Sequence, residues 1–483
     1  MKNLVKCLIM ILLLALVLVG ADYGYEAIVR ERAAAQTPGG GQVTDWAKPD
    51  PEHLAYYGLG EFETSLPVLY IDTRNQRIQK EDIIWASMAV SEAMPDGSPR
   101  SVMDTPDYQA SITLKYRGAS SYYGFDKRQY RIKFFEEEGS TAAMPVSFVG
   151  MGSNSEWVLN GPFLDKTLMR NRLGYALSGE IMDWAPDTRY VELFLDGEYQ
   201  GVYLATEPVS NGEFRLRLSK FGLLNGSTSY IVKRDRVGTE LNAIETYGKT
   251  GGYTVNDLYI EYPGNTKLTR QQTRWITQDI SAFEEALYGA DFADPVKGYA
   301  RYIDVDSFVD YYIINELLMN HDAGNLSTYA YKELGGKLQM CVWDFNNCLD
   351  NYQWFRQDYT EFYIVKNAWF NRLLQDKNFV RAVRSRYEEL RETTLSDEHV
   401  FALLDSYQQE MGAAIDRNFA VWGYTFNEDL LVNKLDDDDD PSHYLSRDAA
   451  SYEEAVEQLK QLYSIRAAYL DEHFADLKEG CVN

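Results

Sequence analysis

The chain has 483 residues, 45% of them hydrophobic, and a formal net charge of −26. A chain of this length can bury a large core, which predicts two lobes or domains. The acidic excess argues against nucleic acid as a partner, because its phosphates would be repelled.

The N-terminus has the pattern of a targeting segment. Lys2 and Lys6 precede an apolar stretch that runs uncharged from residue 7 to residue 21, and Val19-Gly20-Ala21 fits the small-residue rule for cleavage. The stretch is also close to the length of a membrane-spanning helix. Residues 1–21 are therefore predicted to be a signal peptide or signal anchor, and the protein is expected to be secreted or anchored to the membrane.

A linker is expected next, at residues 22–64, because residues 30–55 are rich in Ala, Gly, Gln, Pro and charge and lack an apolar period. After it, alternating apolar residues predict short strands. These strands are expected at residues 66–71, 112–116, 130–135, 191–195, 199–206 and 229–232.

The connection between the strands at 112–116 and 130–135 reads RGASSYYGFDKRQ and is rich in small residues and hydroxyls. Small residues let a backbone approach a phosphate with its N–H groups pointing at it. Most connections of this composition are only turns. Lys133 lies on the strand that follows, where a surface lysine is the ordinary interpretation.

Helical spacing of apolar residues predicts most of the remaining elements. A helix is expected at 165–181 with Asp165 at its N-cap, and a buried helix at 305–319 ends just before His321-Asp322. Further helices are predicted at residues 362–374, 379–395, 399–415 and 452–474.

A β-hairpin is predicted between these helical regions, with strands at Thr328–Lys332 and 338–342 and a Gly335-Gly336 turn. Asp322 precedes this hairpin and Asp344 follows it. The hairpin thus holds two carboxylates at the ends of one rigid unit, as a nucleotide–metal site requires, because Mg²⁺ takes oxygen ligands in near-octahedral geometry.

Two other features have ordinary interpretations. Cys341 and Cys348 flank the WDFNN stretch without CxxC spacing, so buried thiols are favoured over metal or redox chemistry. The run of five Asp at 436–440 is expected to be a solvated loop outside the active site, with calcium binding as the alternative.

The parts follow one another in the order found in protein kinases: small-residue loop, strand lysine, helix, buried helix, Asp loop, hairpin and second Asp. In kinases the loop covers phosphates, the lysine pairs with them, the first Asp receives the hydroxyl proton and the second Asp holds Mg²⁺. The usual kinase strings GxGxxG, HRD, DFG and APE are absent.

The motifs RGASS, YRIKF, WVLN, DKTLMRN, DGEYQGVYLATE, SFVDYYIINELLMN and WDFN together resemble the spore coat protein H (CotH) kinase family. The resemblance implies an α+β, atypical protein-kinase-like two-lobe fold. Its antiparallel sheet N-lobe would span 65–210 and its mostly helical C-lobe 211–483. It also implies transfer of phosphate from ATP, with Mg²⁺ or Mn²⁺, to Ser/Thr of exported, cell-surface or spore-coat proteins.

The same resemblance assigns roles to residues. Lys133 corresponds to the ATP-phosphate lysine, Asp322 to the catalytic-loop Asp and Asp344 to the metal Asp. Further metal ligands are expected at Asn346 and Asn325. Nucleotide contacts are expected from the loop and from the polar end of a strand, at Arg117, Gly118, Ser120, Ser121 and Glu207.

Departures from the family pattern keep a second hypothesis open. The usual RGNSS reads RGASS here, and no residue clearly matches the helix Glu that would pair with Lys133, for which Glu180 is one candidate. These losses fit a catalytically silent surface or coat scaffold, a pseudokinase that keeps the fold for binding. A secreted hydrolase is disfavoured, because no GxSxG or HExxH occurs.

Overall fold

A computed structural model describes residues 43, 45–219, 225–238, 242–264, 267–474 and 477. The predicted leader, with Cys7, and about half of the predicted linker lie outside these residues, as does Cys481. Within the described ranges, no helix combines the length and the apolar character that crossing a membrane would need.

The described chain has both strands and helices, which confirms the α+β class. In chain order the strands are β1 Glu63–Thr64, β2 Val68–Asp72, β3 Ile84–Ser91, β4 Arg100–Ser101, β5 Tyr108–Arg117, β6 Gln129–Phe135, β7 Glu156–Asn160, β8 Thr188–Leu195, β9 Glu198–Thr206, β10 Tyr230–Asp235, β11 Ala243–Ile244, β12 Asp257–Tyr262, β13 Thr328–Lys332 and β14 Gln339–Cys341. The helices are α1 Pro51–Tyr56, α2 Ser120–Gly124, α3 Arg170–Ile181, α4 Tyr247–Thr250, α5 Arg270–Tyr288, α6 Val305–Leu317, α7 Phe370–Leu373, α8 Lys377–Arg391, α9 Asp397–Met411, α10 Ala414–Trp422 and α11 Tyr452–His473.

Seven strands form a closed barrel in the order β2-β3-β5-β6-β7-β9-β8. The strands alternate apolar and polar residues, so that one set of side chains, including Ile112, Ile132 and Trp157, fills the interior. The barrel closes through a parallel pairing of β2 with β8. The other neighbouring strands of the barrel pair antiparallel, as predicted for the N-lobe. The parallel pair and the closure into a barrel differ from the predicted antiparallel sheet, because β2 and β8 pair with each other.

A second, antiparallel sheet has the order β11-β12-β10-β13-β14. It contains the predicted hairpin, in which Tyr329 pairs with Cys341 and Tyr331 with Gln339. β10 lies beside β13, with Lys233 opposite Tyr329. This register places Lys233 and Asp235, at the end of β10, in the same cleft as Asp344.

The largest core is built from helices and from strands of the second sheet, and it surrounds α6, in which every residue from Phe308 to Leu317 is buried. An apolar helix of this kind is expected in the interior of a large domain. Cys341 and Cys348 are free and buried in the same region, as predicted.

Several local predictions were wrong. The 165–181 helix begins only at Arg170, and Asp165 bonds the backbone N–H of Arg170 from the preceding loop instead of capping the helix. Residues 362–369 are not helical. The backbone N–H groups of Tyr363 and Ile364 bond the carboxylate of Glu316, which replaces helical carbonyl partners.

Two further segments are more ordered than the sequence patterns indicated. The stretch before residue 300, which has mixed patterns, contains α5, whose start is fixed by a capping box between Thr269 and Gln272. The last part of the predicted linker is packed, because Trp46 and Leu54 are buried against the barrel strands.

Candidate active site

A cleft of about 420 Å³ opens where the loop after β5, the end of β10 and the two ends of the hairpin meet. Its lining is dominated by polar and charged side chains. These include the predicted residues Arg117, Gly118, Ser120, Ser121, Asp322, Asp344 and Asn346, together with Lys80, Glu81, Gln129, Lys233, Asp235, Arg236, Ser327, Asn347 and Trp354.

The loop after β5 begins with a glycine that its backbone conformation requires. Gly118 has a φ of +91°, and a Cβ placed there would lie 2.0 Å from Oγ of Ser121. A glycine is therefore required both for the left-handed backbone and for the approach of the Ser121 hydroxyl. Arg117 donates to Oε1 of Gln129 at 3.0 Å, which joins the two ends of the loop.

Asp344 is placed by helix α3. The backbone N–H of Asp344 donates to the hydroxyl of Tyr175 at 3.1 Å, and that of Phe345 donates to Oδ1 of Asn171 at 2.8 Å. Asn171 and Tyr175 are four residues apart and so lie on the same face of the helix. Gly174 lies between these two residues in the helix. Its lack of a side chain makes room for the Phe345 ring, because a Cβ at Gly174 would lie 2.3 Å from Cγ of Phe345.

The backbone is strained where the carboxylate enters the cleft. Asp344 has a φ of +69° and Ser327 a φ of +48°, in the left-handed region that non-glycine residues rarely occupy. The Ser327 hydroxyl donates to Oδ2 of Asp344 at 3.3 Å. Strain of this kind is often found at functional sites that hold a group in one orientation.

Asp322 lies in the turn that follows α6. Its backbone carbonyl accepts from the N–H groups of Asn325 and Leu326, and its Oδ2 accepts from the side-chain amide of Asn347 at 3.3 Å. Asn347 Oδ1 also accepts from the amide of Asn346 at 2.9 Å. An amide network therefore joins Asp322 to the segment that carries Asp344.

The two carboxylates influence each other's protonation. Burial raises the pKa of Asp344 to about 6, with a smaller rise from Asp322 and an opposing effect of Arg117. Burial also raises the pKa of Asp322, opposed by His321 and Arg236. Asp235 raises both, so three negative side chains act on one cleft.

Cations reach the cleft from both sheets. Arg117 stacks over Trp343, with 5.3 Å between Cζ and the ring centre. Lys233, on β10, lies 3.6 Å from Asp235 and 3.4 Å from Glu261. Burial raises the pKa of Tyr329, and both cations oppose this rise.

The carboxylates and amides of the cleft fit a hard divalent cation. Among the described residues, no three His, Cys, Asp or Glu side chains converge as a metal-binding group. Mg²⁺ is commonly held by only one or two carboxylates, with phosphates and water completing its shell. Asp344, and Asn346 beside it, would hold such an ion, which would supply positive charge next to a phosphate.

Four predicted positions lie away from the cleft lining. Lys133 is on the outer face of β6, opposite Thr113 and Glu156, with Nζ 5.7 Å from the Phe135 ring centre. Glu180 bonds His399 instead of a lysine. The structure does not bring either residue to the cleft.

Glu207 and Asn325 have other partners. Glu207 is buried 3.5 Å from Arg215, and burial raises its pKa to about 7 while Arg215 opposes the rise. The Asn325 amide donates to Asn367 at 2.6 Å. Residues 436–440 are also absent from the lining, which agrees with their expected place outside the active site.

Lys233 and Asn347 are lining residues that sequence reasoning missed. Lys233 directly follows the predicted strand 229–232, and charged residues at a strand end were a usable signal. Its position in the cleft, however, depends on the pairing of β10 with β13. Asn347 is the last residue of WDFNN, where only the Asn at position 346 received a role.

Comparisons with known proteins identify the family of this chain. The sequence model of the family described as CotH kinase protein matches residues 114–470, a range that contains all of the predicted site residues. Inner spore coat protein H of Bacillus subtilis (strain 168) is 25% identical over 288 residues, 59% of this chain and 69% of that protein. Since the family match covers more than half of the chain, this protein belongs to the CotH kinase protein family.

Proposed function

We propose that this protein is a Mg²⁺- and ATP-dependent protein kinase that phosphorylates Ser or Thr side chains of other proteins. The observation that carries the proposal is the meeting of Asp322 and Asp344 in one cleft with Arg117 and the small-residue loop. Phosphoryl transfer needs a metal-holding carboxylate, a base near the acceptor hydroxyl, and cations on the phosphates. The lining contains a residue for each role.

The roles are divided as follows. Asp344 would hold the cation, which would supply positive charge to the transferred phosphate, and Ser327 orients the carboxylate. Asp322, held by Asn347, accepts the proton of the substrate hydroxyl as general base. Arg117 and Lys233, which both line the cleft, would contact phosphate oxygens. Lys233 replaces Lys133 in this proposal, because Lys133 lies outside the cleft.

The two-lobe kinase-like arrangement is part of this proposal. The barrel with its loop would form the nucleotide-covering lobe, and the helical core around α6 would present Asp322. The relative from B. subtilis is named an inner spore coat protein. Together with the predicted leader, this name supports exported, cell-surface or coat proteins as substrates and an extracytoplasmic location.

A pseudokinase scaffold is the second candidate. It is favoured by Ala119, which lines the cleft where the family's usual loop carries Asn, and by the position of Lys133 outside the cleft. A scaffold would keep the fold and the cleft without transferring phosphate.

Nucleotide titration and phosphate transfer on three proteins test the division of roles. Asp344→Ala should weaken metal-dependent ATP binding and abolish transfer. Asp322→Ala should keep nucleotide binding and lower turnover by about 10²–10⁴-fold, as expected for a lost general base. Replacing residues 436–440 by Ser and Asn is the matched control and should change neither property.

The outcomes separate the two candidates. A wild-type protein that binds ATP with Mg²⁺ or Mn²⁺ but never phosphorylates a Ser-rich protein is a pseudokinase. A wild-type protein that binds no nucleotide under any metal condition contradicts the kinase proposal and leaves the scaffold.

A further inference from the structure

We infer that a buried hydrogen bond between Lys127 and Asn418, called the clasp below, lets helix α10 set the position of the loop after β5. This loop, residues 118–128, is called the nucleotide loop. Lys127 and Asn418 are positioning residues, since neither lines the cleft. The inference rests on the proposed function only for the identity of the ligand, ATP, that the loop would bind. The position of the loop can be measured without nucleotide.

Lys127 has an environment unlike that of a surface lysine. Its side chain is fully buried, and its Nζ donates to the carbonyl of Val202 at 2.7 Å and to Oδ1 of Asn418 at 2.6 Å. The ring centres of Tyr203 and Trp422 lie 5.0 and 5.8 Å from Nζ. Two carbonyl oxygens and two aromatic faces thus surround this buried amine. Burial without a carboxylate partner lowers the pKa of Lys127 well below its usual value.

Asn418 is the partner that reaches this lysine from the far end of the chain. It is buried on α10, and its Oδ1 accepts from Lys127 and also from the backbone N–H of Val202 at 3.1 Å. Gly201 makes room for it, because a Cβ there would lie 2.5 Å from Oδ1 of Asn418. The barrel strand β9 and the loop therefore share one oxygen on α10.

Neighbouring loop residues strengthen the same attachment. Phe125 stacks on Phe163 with 5.5 Å between ring centres, and Phe163 packs edge-on against Trp422 at 6.1 Å. Asp126 accepts from the Tyr424 hydroxyl at 2.8 Å. The second half of the loop is thus joined to α10 through Phe163 and directly to the turn that follows α10 through Asp126.

Arg128 connects the clasp to the half of the loop that lines the cleft. It follows Lys127 directly, donates to the carbonyl of Tyr122 and lies 3.5 Å from that of Ser121. Its guanidinium also stacks over the Tyr122 ring. A shift of Lys127 would therefore move the backbone that carries Ser121 and, through it, Gly118.

Hydrogen exchange of the loop amides tests the clasp in the full chain without nucleotide. Lys127→Met and Asn418→Ala should each accelerate exchange across residues 118–125 by about tenfold, because the loss of a buried hydrogen bond changes a local opening equilibrium by roughly that factor. Lys166→Met is the matched control. Lys166 also donates to a carbonyl, of Ala449, beside the Phe426 ring, but does not contact the loop.

A second readout follows ATP kinetics. In the clasp variants the KM for ATP should rise by about tenfold while kcat changes little, since the catalytic carboxylates are untouched. The double variant should cost little more than either single one. Loop exchange that equals that of the Lys166→Met protein would overturn the clasp. A wild type that binds no ATP would instead contradict the proposed function and leave the exchange result standing.

Discussion

At the scale of single residues, the cleft is governed by carboxyl groups kept partly out of water. Asp344 has a pKa of about 6 because burial disfavours its charged form more than Arg117 favours it. The pKa of Asp322 is also raised, and burial is again the main cause. A bound cation would relieve this cost, because it supplies the positive charge that the cleft offers only in part.

The pKa of Asp344 predicts a pH dependence of metal binding. The carboxyl group is protonated below about pH 6, so metal and proton compete there, and Mn²⁺ affinity should fall as the pH drops through that value. Above about pH 7 this group should add no further dependence. Calorimetric Mn²⁺ titration in buffers of different ionisation enthalpy would show the proton released.

The Asp344→Asn variant is the control for this pH series. It should bind Mn²⁺ weakly and without the acid-side dependence of the wild type. Since Asp322 also titrates, the observed midpoint belongs to the pair. Wild-type affinity that stays flat between about pH 5 and about pH 8 would show that no buried carboxylate holds the ion.

At the scale of elements, helix α3 orients the segment that carries Asp344. Asn171 and Tyr175 bond two consecutive backbone N–H groups of that segment. The contact also needs the missing side chain of Gly174, which lets the Phe345 ring lie directly on the helix.

Two glycines of this one helix give a matched test. Gly174→Ala should destabilise the protein by about 1–3 kcal/mol through overpacking against Phe345, and should weaken Mn²⁺ binding because Asp344 moves with Phe345. Gly179→Ala should instead stabilise by about 0.5–1 kcal/mol, since its Cβ would meet only Ala185, at 4.0 Å. Chemical denaturation and Mn²⁺ titration measure both effects. Equal behaviour of the two variants would refute the packing argument.

At the scale of the whole molecule, the C-terminal helices are part of the core and of the barrel surface. α11 carries Arg466, which is buried against Glu316 on α6 at 2.8 Å and also donates to the carbonyls of Tyr359 and Glu361. α10 carries Arg417, which pairs at 2.9 Å with buried Glu192 on β8. Elements far apart in the chain therefore support one another.

Breaking the Arg466 pair should be costly. Arg466→Met leaves the buried Glu316 carboxylate without its cation and should destabilise by about 3–5 kcal/mol. Lys460→Met, on the same helix, removes an exposed pair with Asp405 and should cost about 1 kcal/mol or less. Denaturant unfolding compares them, and a loss for Arg466→Met as small as that of the control would contradict the prediction.

Local sequence signals were sufficient where neighbours in the chain decide the structure. The Gly335-Gly336 turn and alternating residues predicted the β13–β14 hairpin, and a continuous apolar run predicted the buried helix α6. Residues 362–369 were assigned wrongly because a carboxylate 47 positions away from Tyr363 takes its backbone N–H. Nothing in the segment itself signals that partner.

The candidate site shows the same limit. Asp322 and Asp344 were found because one short hairpin separates them along the chain. Lys233 was missed because its place depends on a strand register, and Lys133 was assigned by its position in a motif although it faces away from the cleft. The order of motifs along the chain predicts the order of the functional parts. The face of a strand on which a residue lies cannot be predicted in this way, because it depends on how the strands pair in three dimensions.

The closed barrel has a consequence for how the chain must be made. β2 forms its second set of hydrogen bonds with β8, which leaves the ribosome only after β3 to β7 and helix α3. Until then one side of the first long strand is open, and such an edge can pair with another chain. A nascent chain that stalls before β8 is thus an aggregation hazard, and the early part of synthesis is where a chaperone has most to protect.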